Sequence, residues 1–594
     1  MNPWADGQSW RLVALRQSMV KAGFDGWIVG REDMYQGEEV PAGEERLAYI
    51  SGFTGSAGFA VVLEKTAGLF SDGRYSLQME TQTSQDDWQC NTIPDMTCEN
   101  WLKAKQLAEG FTIGIDARLV TLSGFERFER AVVAAGGKLL SHSENLLDAF
   151  WQDRPPMPPA KIWQMPYKSS GKTVTEKLDD LGKQLQENDC EAVLITRVDS
   201  VNWLVNMRGA DLPCTPITLC FALFHRQSGL HILLDEVRFC QMLSPVLGNR
   251  VTASPLANLP ALLEKIGEDR IMVDAESLPK VLFEQILASP VKTVQATCLI
   301  STAKACKNET ELEGFRAAHR RDGVAMVEFL CWLDQAIQMP DIGFFESEIA
   351  TRLLSFRQQQ DGFISPSFNT IAGSGPNGAI VHYRAIVGED RQLLADDMLL
   401  LDSGAHYCDG TTDITRTITT GIPPNRAITA FTHVLRALIC LAQAKFPYGT
   451  TGQQLDAITR APLWAADMDF AHGTGHGVGH VLSVHEGPAS ISKRGTIALE
   501  TGMVLSNEPA YYQNGEWGIR IENLVTVGAA SDAGFLHLET ITLCPFDRRL
   551  INKALLNTDE ISWVDQYHHT VEAELLHYLS DAAKLWLRNA CHPL

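Results

Sequence analysis

The chain has 594 residues, of which 45% are hydrophobic and 21% are charged, a composition typical of a soluble globular protein with room for three domains. Its apolar runs are too short to span a membrane, and its first six residues lack the basic region and apolar core of a secretory signal. A formal net charge of −22 disfavours nucleic acid and anionic membranes as partners, and thirteen scattered cysteines indicate reduced thiols and a cytoplasmic protein.

An alternation of helices and strands predicts a first α/β domain over residues 1–153. Apolar residues at helical spacing indicate an amphipathic helix at 10–22, and a buried strand follows at 26–29. A further strand is expected at 60–63. A proline-rich linker at 154–159 then separates this domain from the next.

A second α/β domain is predicted over residues 154–307. A helix at 174–188 precedes a strand at 192–196, so the order of elements repeats that of the first domain. This similarity of pattern indicates a duplicated fold. The segment has no cluster of catalytic residue types, and we expect a structural role that supports a dimer or the cleft.

The third predicted domain covers residues 308–594 and begins with a long helix that reaches about residue 336. Asn308 and Glu311 are placed to form its N-cap and the return contact of a capping box. Further helices are expected at 346–359, 426–445 and 452–467. A helical tail ends the chain at 546–594, and we assign its aromatic residues to packing: Trp563, Tyr567 and Trp586.

Two neighbouring strands of the third domain, 398–407 and 411–420, each carry one aspartate. If positions 409 and 410 form a two-residue loop, Asp413 lies opposite His406, and Asp402 lies four residues further along on the same face. A turn centred on positions 407 and 408 would instead place the two aspartates directly opposite. Because side chains alternate with a period of two, either register directs both carboxylates to one side.

A second hairpin carries two glutamates, Glu508 and Glu522. A three-residue loop at 514–516 sets them opposite each other, whereas a two-residue loop at 514–515 would put them on opposite faces. We therefore predict the longer loop, or a bulge.

A glycine-rich segment between the hairpins carries three histidines, His472, His476 and His480, which are rival ligands on the sequence alone. Its alternate glycines allow the backbone to approach a bound ion closely. Four carboxylates and one imidazole suit divalent cations such as Mn²⁺, Co²⁺ or Zn²⁺, whereas four buried and unpaired carboxylates would be very costly. The residues therefore predict two cations about 3.5–4 Å apart that share a hydroxide.

Seven motifs resemble those of Xaa-Pro aminopeptidase (aminopeptidase P), in its large three-domain cytosolic form, and the resemblance spans nearly the whole chain. The motifs are NGAIVHY (377–383), DSGA (402–405), GTTDITRT (410–417), HGTGHGVG (472–479), VHEGP (484–488), NEP (507–509) and IRIEN (519–523). The resemblance implies an α/β (α+β) fold, with two creatinase-like N-terminal α/β domains followed by a pita-bread metallopeptidase domain. It also implies two metal ions, usually Mn²⁺, that bridge a hydroxide and hydrolyse the N-terminal Xaa-Pro bond of peptides with proline at the second position. We expect a homodimer.

The resemblance also assigns roles to single residues. The implied metal ligands are Asp402, Asp413, His476, Glu508 and Glu522. Glu508 is further expected to accept the proton of the nucleophile. His382 and His485 are expected to line the substrate cleft, where a histidine stabilises the oxyanion or carries a proton to or from the leaving proline nitrogen.

Three further residues receive expected roles from the same motifs. His472 is expected to take part in catalysis, and Arg74, in the loop 72–75, is expected to contact the substrate. Arg520 is expected to contact the substrate or to hold a ligand carboxylate. We expect His480 to be packed or to support a ligand, and His406 and His433 to be structural.

Four alternatives share parts of this pattern. Prolidase uses the same ligands but cuts only dipeptides, and methionine aminopeptidase usually lacks such a long pair of leading domains. A non-catalytic peptide-binding module on the same fold, or metal-free amidine hydrolysis of the creatinase type, would not need all five ligand positions. The intact set of five therefore favours a metallopeptidase.

Overall fold

The computed structural model describes residues 8–157, 161–234, 247, 250–338, 343–530 and 534–594. The residues examined for a secretory signal, 1–6, and the linker prolines at 158 and 159 lie outside the described residues. Over the described part of the chain, no helix combines the length and the apolar character needed to cross a membrane.

Two compact units make up the chain. The first contains Met1–Met165, Lys172–Leu212 and Ile217–Ile300, and the second contains Pro166–Gly171, Pro213–Pro216 and Ser301–Leu594. Of the candidate site residues, Arg74 belongs to the first unit and the others to the second.

The first unit begins with a six-stranded sheet that matches the α/β pattern predicted for residues 1–153. Its strands are β1 (Gly26–Gly30), β2 (Phe59–Leu63), β3 (Ala67–Asp72), β4 (Gln89–Ile93), β5 (Thr112–Asp116) and β6 (Lys138–His142), in the order β4-β3-β2-β1-β5-β6. The helices are α1 (Gln8–Ala22), α2 (Arg46–Ser51), α3 (Ser76–Gln82), α4 (Cys98–Ala104) and α5 (Leu122–Ala134). Helix α1 buries Leu12, Leu15 and Met19 against Trp27, which explains the helical spacing of its apolar residues.

The next part of the chain repeats this arrangement. Its strands are β7 (Ile162–Gln164), β8 (Ala192–Ile195), β9 (Met207–Gly209), β10 (Phe221–His225), β11 (Gly229–Leu233), β12 (Val251–Ser254), β13 (Arg270–Val273) and β14 (Lys292–Gln295). Its helices are α6 (Tyr167–Ser170), α7 (Val174–Glu187), α8 (Val198–Leu204), α9 (Leu259–Ile266), α10 (Lys280–Leu287) and α11 (Leu299–Ala305). The second sheet has the order β12-β11-β10-β8-β13-β14, with the same succession of parallel and antiparallel pairs as the first. The predicted duplication is therefore present in the topology.

The second unit is built from long helices and several small sheets. The helices are α12 (Glu309–Ala336), α13 (Glu346–Arg357), α14 (Asn425–Ala442), α15 (Gly452–Trp464), α16 (Thr558–Leu575) and α17 (Asp581–Ala590). The strands are β15 (Phe363–Pro366), β16 (Ile371–Ser374), β17 (Met398–Ser403), β18 (Ala405–Tyr407), β19 (Gly410–Thr411), β20 (Ile414–Thr419), β21 (Lys445–Pro447), β22 (Gly475–Gly477), β23 (Glu486–Ile491), β24 (Val504–Asn507), β25 (Ala510–Gln513), β26 (Trp517–Arg520), β27 (Asn523–Ala529) and β28 (Phe535–Thr540). The predicted capping box of α12 is confirmed, because the side chain of Asn308 accepts from the Glu311 amide and that of Glu311 accepts from the Asn308 amide.

The aspartate hairpin folds with a register that lies between the two predicted ones. Strands β17 and β20 pair Asp402 with Thr415, and the short strands β18 and β19 leave a loop at positions 408 and 409. Both predicted loop positions are therefore wrong by one residue. The shift leaves the alternation unchanged, so Asp402 and Asp413 still point to one side.

Close packing against α12 explains this register. A Cβ atom placed on Gly410 would lie 2.8 Å from the Cβ atom of Ala318, and one placed on Gly314 would lie 2.1 Å from the Asp409 carbonyl oxygen. Gly410 is thus needed at a close contact between strand and helix rather than in the turn.

The glutamate hairpin has the predicted three-residue loop. Strands β25 and β26 pair Ala510 with Arg520, which leaves positions 514–516 as the loop, and Gly515 adopts a left-handed φ of +74° there. Strands β24 and β27 continue the same register. Glu508 and Glu522 therefore lie opposite each other, at the break between the two ladders.

Helices cover the outer faces of both hairpins. Ile519 and Ile521 share a buried cluster with Leu435 and Leu438 of α14, and the alternate positions, including Glu522, face the other way. Leu399 and Leu401 of β17 pack in the same manner in a cluster with residues of α12. The alternation of apolar and acidic residues thus directs the acids toward a shared site.

Candidate metal centre

The structure brings four of the five predicted ligands into direct proximity. Asp413, His476 and Glu522 each offer a ligand atom, and these atoms all lie within 4.8 Å of one another. Nε2 of His476 is 3.5 Å from Oδ2 of Asp413 and 3.6 Å from Oε1 of Glu508. Three carboxylates and one imidazole therefore face one point.

Asp402, the fifth predicted ligand, interacts electrostatically with the carboxylates of Asp413 and Glu508. The pKa of Asp402 is raised to about 6, chiefly by burial; Arg520 opposes the rise, and the carboxylates of Asp413 and Glu508 contribute to it. Arg520 donates from Nη2 to Oδ2 of Asp402 at 2.5 Å. Oδ1 of Asp402 is buried and has no hydrogen-bond partner among the described residues.

Glu522 is the most deeply buried of the two glutamates, with 2% of its surface exposed. The Thr415 hydroxyl donates to its Oε2 at 2.8 Å, which fixes the orientation of the carboxylate. Burial, followed by repulsion from Asp413, Glu508 and Asp402, raises the pKa of Glu522 well above its ordinary value. A nearby positive charge would relieve this repulsion.

The backbone of the glycine-rich segment fixes the ring of His476. Its Nδ1 lies 2.9 Å from the Gly477 carbonyl oxygen, and because a carbonyl only accepts, Nδ1 carries the proton. In the neutral ring Nε2 is then the nitrogen with the free lone pair, and it is the atom that faces Asp413 and Glu508. The His476 amide donates to the Ser506 hydroxyl at 2.9 Å, and Ser506 donates to Oε1 of Glu508 at 3.1 Å, so one serine orients two candidate ligands.

These residues fit divalent cations. The site holds four carboxylates at close range, and among the described residues the guanidinium of Arg520 offsets only part of their charge. Among the described residues the buried Oδ1 of Asp402 has no hydrogen-bond partner, and Nε2 of His476 is available to a cation because Nδ1 is bonded to the Gly477 carbonyl. Oxygen donors with one imidazole suit Mn²⁺, Co²⁺ and Zn²⁺.

Three further histidines surround the cluster. The ring of His485 meets that of His476 edge to face, with centroids 4.3 Å apart. Nδ1 of His472 lies 3.8 Å from Oε2 of Glu508. Burial, followed by the charge of Arg520, lowers the pKa of His472 well below its ordinary value, and His382 is close enough to contribute to this shift. His472 is therefore neutral at physiological pH.

Known proteins match the chain over nearly its whole length. Family models match it for the creatinase/prolidase N-terminal domain at residues 11–149 and again at 153–311, for metallopeptidase family M24 at 313–529, and for the C-terminal region of peptidase M24 at 534–594. A probable Xaa-Pro aminopeptidase P from Laccaria bicolor is 36% identical over 98% of this chain and 93% of its own length. One from Paracoccidioides brasiliensis is 36% identical over 99% of both.

The chain belongs to the Xaa-Pro aminopeptidase P family of M24 metallopeptidases. A crystal structure of an X-prolyl aminopeptidase from Caenorhabditis elegans, described as a cytosolic enzyme with a di-nuclear active site, covers 99% of this chain and 100% of its own. Its TM-score is 0.91 at 32% identity. The predicted family, the enzyme class and the fold of two creatinase-like domains before a pita-bread domain are thereby confirmed.

Other predicted residues of this aminopeptidase P chain have contacts of their own. Arg74, in the first unit, is held by two hydrogen bonds to Asp72, at 2.9 and 2.8 Å. Nε2 of His480 lies 2.9 Å from the Asp409 carbonyl oxygen, and Nε2 of His406 lies 2.9 Å from that of Cys214. These contacts agree with packed roles for His480 and His406.

The structure also places Tyr512 at the aminopeptidase P site, although the sequence patterns predicted no functional role for it. Its hydroxyl accepts from Nη1 of Arg520 at 2.6 Å and donates to Nε2 of His472 at 2.8 Å. Tyr512 lies four residues after Glu508 in an extended segment, so the period of two could have placed both on one face. The same period of two places Thr415 on the face of Asp413 and Ser506 on the face of Glu508, but it does not identify them as the groups that orient the ligands.

Proposed function

We propose that this protein removes the first residue from peptides with proline at the second position, with two divalent cations held by Asp402, Asp413, His476, Glu508 and Glu522. The observation that carries this proposal is the convergence of three carboxylates and one oriented imidazole on a single point, with the Asp402 carboxyl close enough to interact with two of these carboxylates. The names of the relatives and the di-nuclear site of the Caenorhabditis elegans enzyme support it. Mn²⁺ is the metal we propose.

Two such cations, when bound, would polarise the scissile carbonyl and acidify a water shared between them, so that hydroxide is available near neutral pH. The residues of the chain supply the remaining functions. The side chain of Glu508 is 18% exposed, the most accessible of the four carboxylates. It can therefore take the proton of the nucleophile while its other contacts keep it in place.

The surrounding groups bind and orient the substrate. Asp402, held by Arg520, receives the free amino group of the peptide beside one cation. His485 and His382 border the site and supply the donor for the oxyanion and the proton for the leaving proline nitrogen. Both ring nitrogens of His472 are hydrogen-bonded to protein groups, to the Gly473 carbonyl and the Tyr512 hydroxyl, so His472 orients its neighbours instead of transferring a proton.

The same proposal covers the organisation of the protein. We place its three domains at residues 1–153, 154–307 and 308–594, because each N-terminal sheet is complete by itself and the first three family models divide the chain near these points. We propose a cytoplasmic homodimer, and we propose that Arg74 contacts the substrate.

The test compares three peptides after removal of metal by a chelator, with and without added Mn²⁺. The protein should release arginine from Arg-Pro-Pro only when Mn²⁺ is present, and should leave Met-Ala-Ser intact. Cleavage of an Xaa-Pro dipeptide alone would identify a prolidase. A lack of cleavage of all three peptides, with Mn²⁺ present, would overturn the proposal in favour of a peptide-binding module.

A further inference from the structure

One buried guanidinium links the metal centre to the end of the chain. Arg416, on β20, has 2% of its surface exposed and donates hydrogen bonds from all three of its nitrogens. Such a fully bonded guanidinium is held rigidly, because each donor that lost its partner in this buried position would carry a desolvation penalty.

Two of these bonds reach the strands that carry candidate ligands. Nη1 of Arg416 donates to the carbonyl oxygen of Glu522 at 2.7 Å and to that of Thr415 at 2.9 Å. The Thr415 carbonyl also accepts from the Glu522 amide at 3.0 Å, and the Thr415 hydroxyl orients the Glu522 carboxylate. Arg416 thus fixes the point at which the aspartate hairpin meets the glutamate hairpin.

The other side of the guanidinium contacts the C-terminal region, residues 534–594, which a family model of its own matches. Nη2 donates to the Tyr567 hydroxyl at 2.9 Å and to the Cys544 carbonyl at 2.7 Å, and Nε donates to the Pro545 carbonyl at 3.2 Å. The Tyr567 hydroxyl in turn lies 2.8 Å from the Cys544 carbonyl, to which it donates. Burial raises the pKa of Tyr567 to about 12, so this hydroxyl keeps its proton at neutral pH.

The ring of Tyr567 is itself held by packing. It stacks on Trp563 with centroids 5.4 Å apart and an interplanar angle of 3°, and on Phe546 with centroids 4.9 Å apart. The helix α16 therefore presents a fixed hydroxyl to Arg416. The aromatic residues of this helix do pack, as the sequence predicted, and one of them also carries a polar contact.

We propose that Arg416 and Tyr567 are positioning residues of the metal centre, through which the C-terminal region sets the affinity of the site for divalent cations. The proposal rests on the proposed function for one point, the assignment of Glu522 as a ligand. Groups that orient a metal ligand typically affect metal affinity by about 10- to 100-fold. Without the Tyr567 hydroxyl, Nη2 of Arg416 keeps Oδ1 of Asn523 and the Cys544 carbonyl as acceptors but loses its contact with α16. The guanidinium can then shift, and the Glu522 backbone that it holds shifts with it.

The experiment measures Mn²⁺ binding to the full-length, chelator-treated protein by calorimetric titration, together with thermal unfolding of the metal-free protein. Tyr567→Phe keeps the stacked ring and removes only the hydroxyl, and it should weaken Mn²⁺ binding about tenfold. Arg416→Lys should weaken it more. Trp563→Phe is the matched control, since Trp563 stacks on the same ring but, as a donor only, cannot accept from Arg416. It should lower the unfolding temperature yet keep Mn²⁺ affinity within about twofold of the wild type.

Wild-type affinity in Tyr567→Phe would overturn the proposal, as would an equal loss in Trp563→Phe, which would show that the C-terminal region acts only through stability. If Arg416→Lys fails to fold, Tyr567→Phe decides alone. Asp413→Ala separates this proposal from the proposed function. Unaltered Mn²⁺ binding by Asp413→Ala would refute the ligand assignment itself. If Asp413→Ala loses Mn²⁺ binding but Tyr567→Phe binds Mn²⁺ as the wild type does, only the role of the C-terminal region would be refuted.

Discussion

The metal-free protein should become less stable as the pH rises from 5 to 7.5. The carboxyl group of Asp402 should account for a part of this loss that can be calculated. Burial raises the pKa of Asp402 from its ordinary value of 3.8 to about 6 in the metal-free site. The folded protein therefore binds a proton on Asp402 more tightly than the unfolded chain does. Stability from this proton is fully present below pH 3.8 and is lost as the pH rises through 6.

The magnitude follows from the same values. At about 1.36 kcal/mol for each pH unit between 3.8 and 6, the full contribution of Asp402 is about 3 kcal/mol. The part that lies between pH 5 and pH 7.5 is about 1 kcal/mol. With a denaturant slope of about 3 kcal/mol per molar urea, the midpoint of urea unfolding should fall by about 0.3 M over this range. Glu522, whose pKa burial also raises, changes the stability in the same direction.

The assay is urea unfolding of the chelator-treated protein at pH 5 and pH 7.5, with Asp402→Asn as the control. Asparagine has nearly the same size as aspartate but does not titrate. The stability of the variant should therefore depend less on pH than that of the wild type, while the titration of distant groups stays the same. Mn²⁺ at 100 times its dissociation constant should add about 2.7 kcal/mol of stability at pH 7.5 for each cation bound. An identical pH dependence in the two metal-free proteins would show that Asp402 does not hold this proton in the folded state.

Three other substitutions test single contacts around the site. Thr415→Val removes the hydroxyl that donates to Glu522 at 2.8 Å, and kcat/KM should fall about tenfold, with partial recovery in excess Mn²⁺. Arg460→Met leaves the buried carboxylate of Asp456 without its guanidinium at 2.9 Å, so the free energy of unfolding from urea titration should fall by about 3 to 5 kcal/mol. Gly515→Ala places a side chain on a residue with φ of +74°, which should cost about 1 kcal/mol in the same titration.

Each of these substitutions has its own control. Thr415→Ser keeps the hydroxyl and should keep kcat/KM, and an equal loss in both variants would contradict the role of the hydrogen bond. Combining Arg460→Met with Asp456→Leu removes both charges and should recover part of the stability, whereas a double variant that is no better than the single one would show that the pair is not the cause. A neutral Gly515→Ala would contradict the three-residue loop.

The glutamate hairpin shows what the sequence could predict. Glu508 and Glu522 can share a face only if the loop between them has an odd number of residues, so the chemistry of the site and the period of two together selected the loop. The capping box at Asn308 and Glu311 was equally predictable, because all its contacts lie within four residues. In both cases the residues that determine the structure lie close together in the sequence.

The register of the aspartate hairpin could not be predicted, because a contact from elsewhere in the chain decides it. Asp409-Gly410 is a favourable turn pair by itself, but Gly410 is used where β19 meets Ala318 of α12. The link from Arg416 to Tyr567 joins residues that are 151 positions apart, and no periodicity or short motif indicates it. The motif around Arg520 did predict that this residue could hold a ligand carboxylate, but not that the carboxylate is that of Asp402, 118 positions away.

Diffraction from crystals soaked in Mn²⁺, at a wavelength where manganese scatters anomalously, tests most directly whether five side chains hold two cations. We expect two anomalous peaks in each chain, about 3.5–4 Å apart, between the carboxylates of Asp402, Asp413, Glu508 and Glu522, with Nε2 of His476 bound to one of them. A single peak, or peaks away from these five residues, would show that these side chains do not hold two cations.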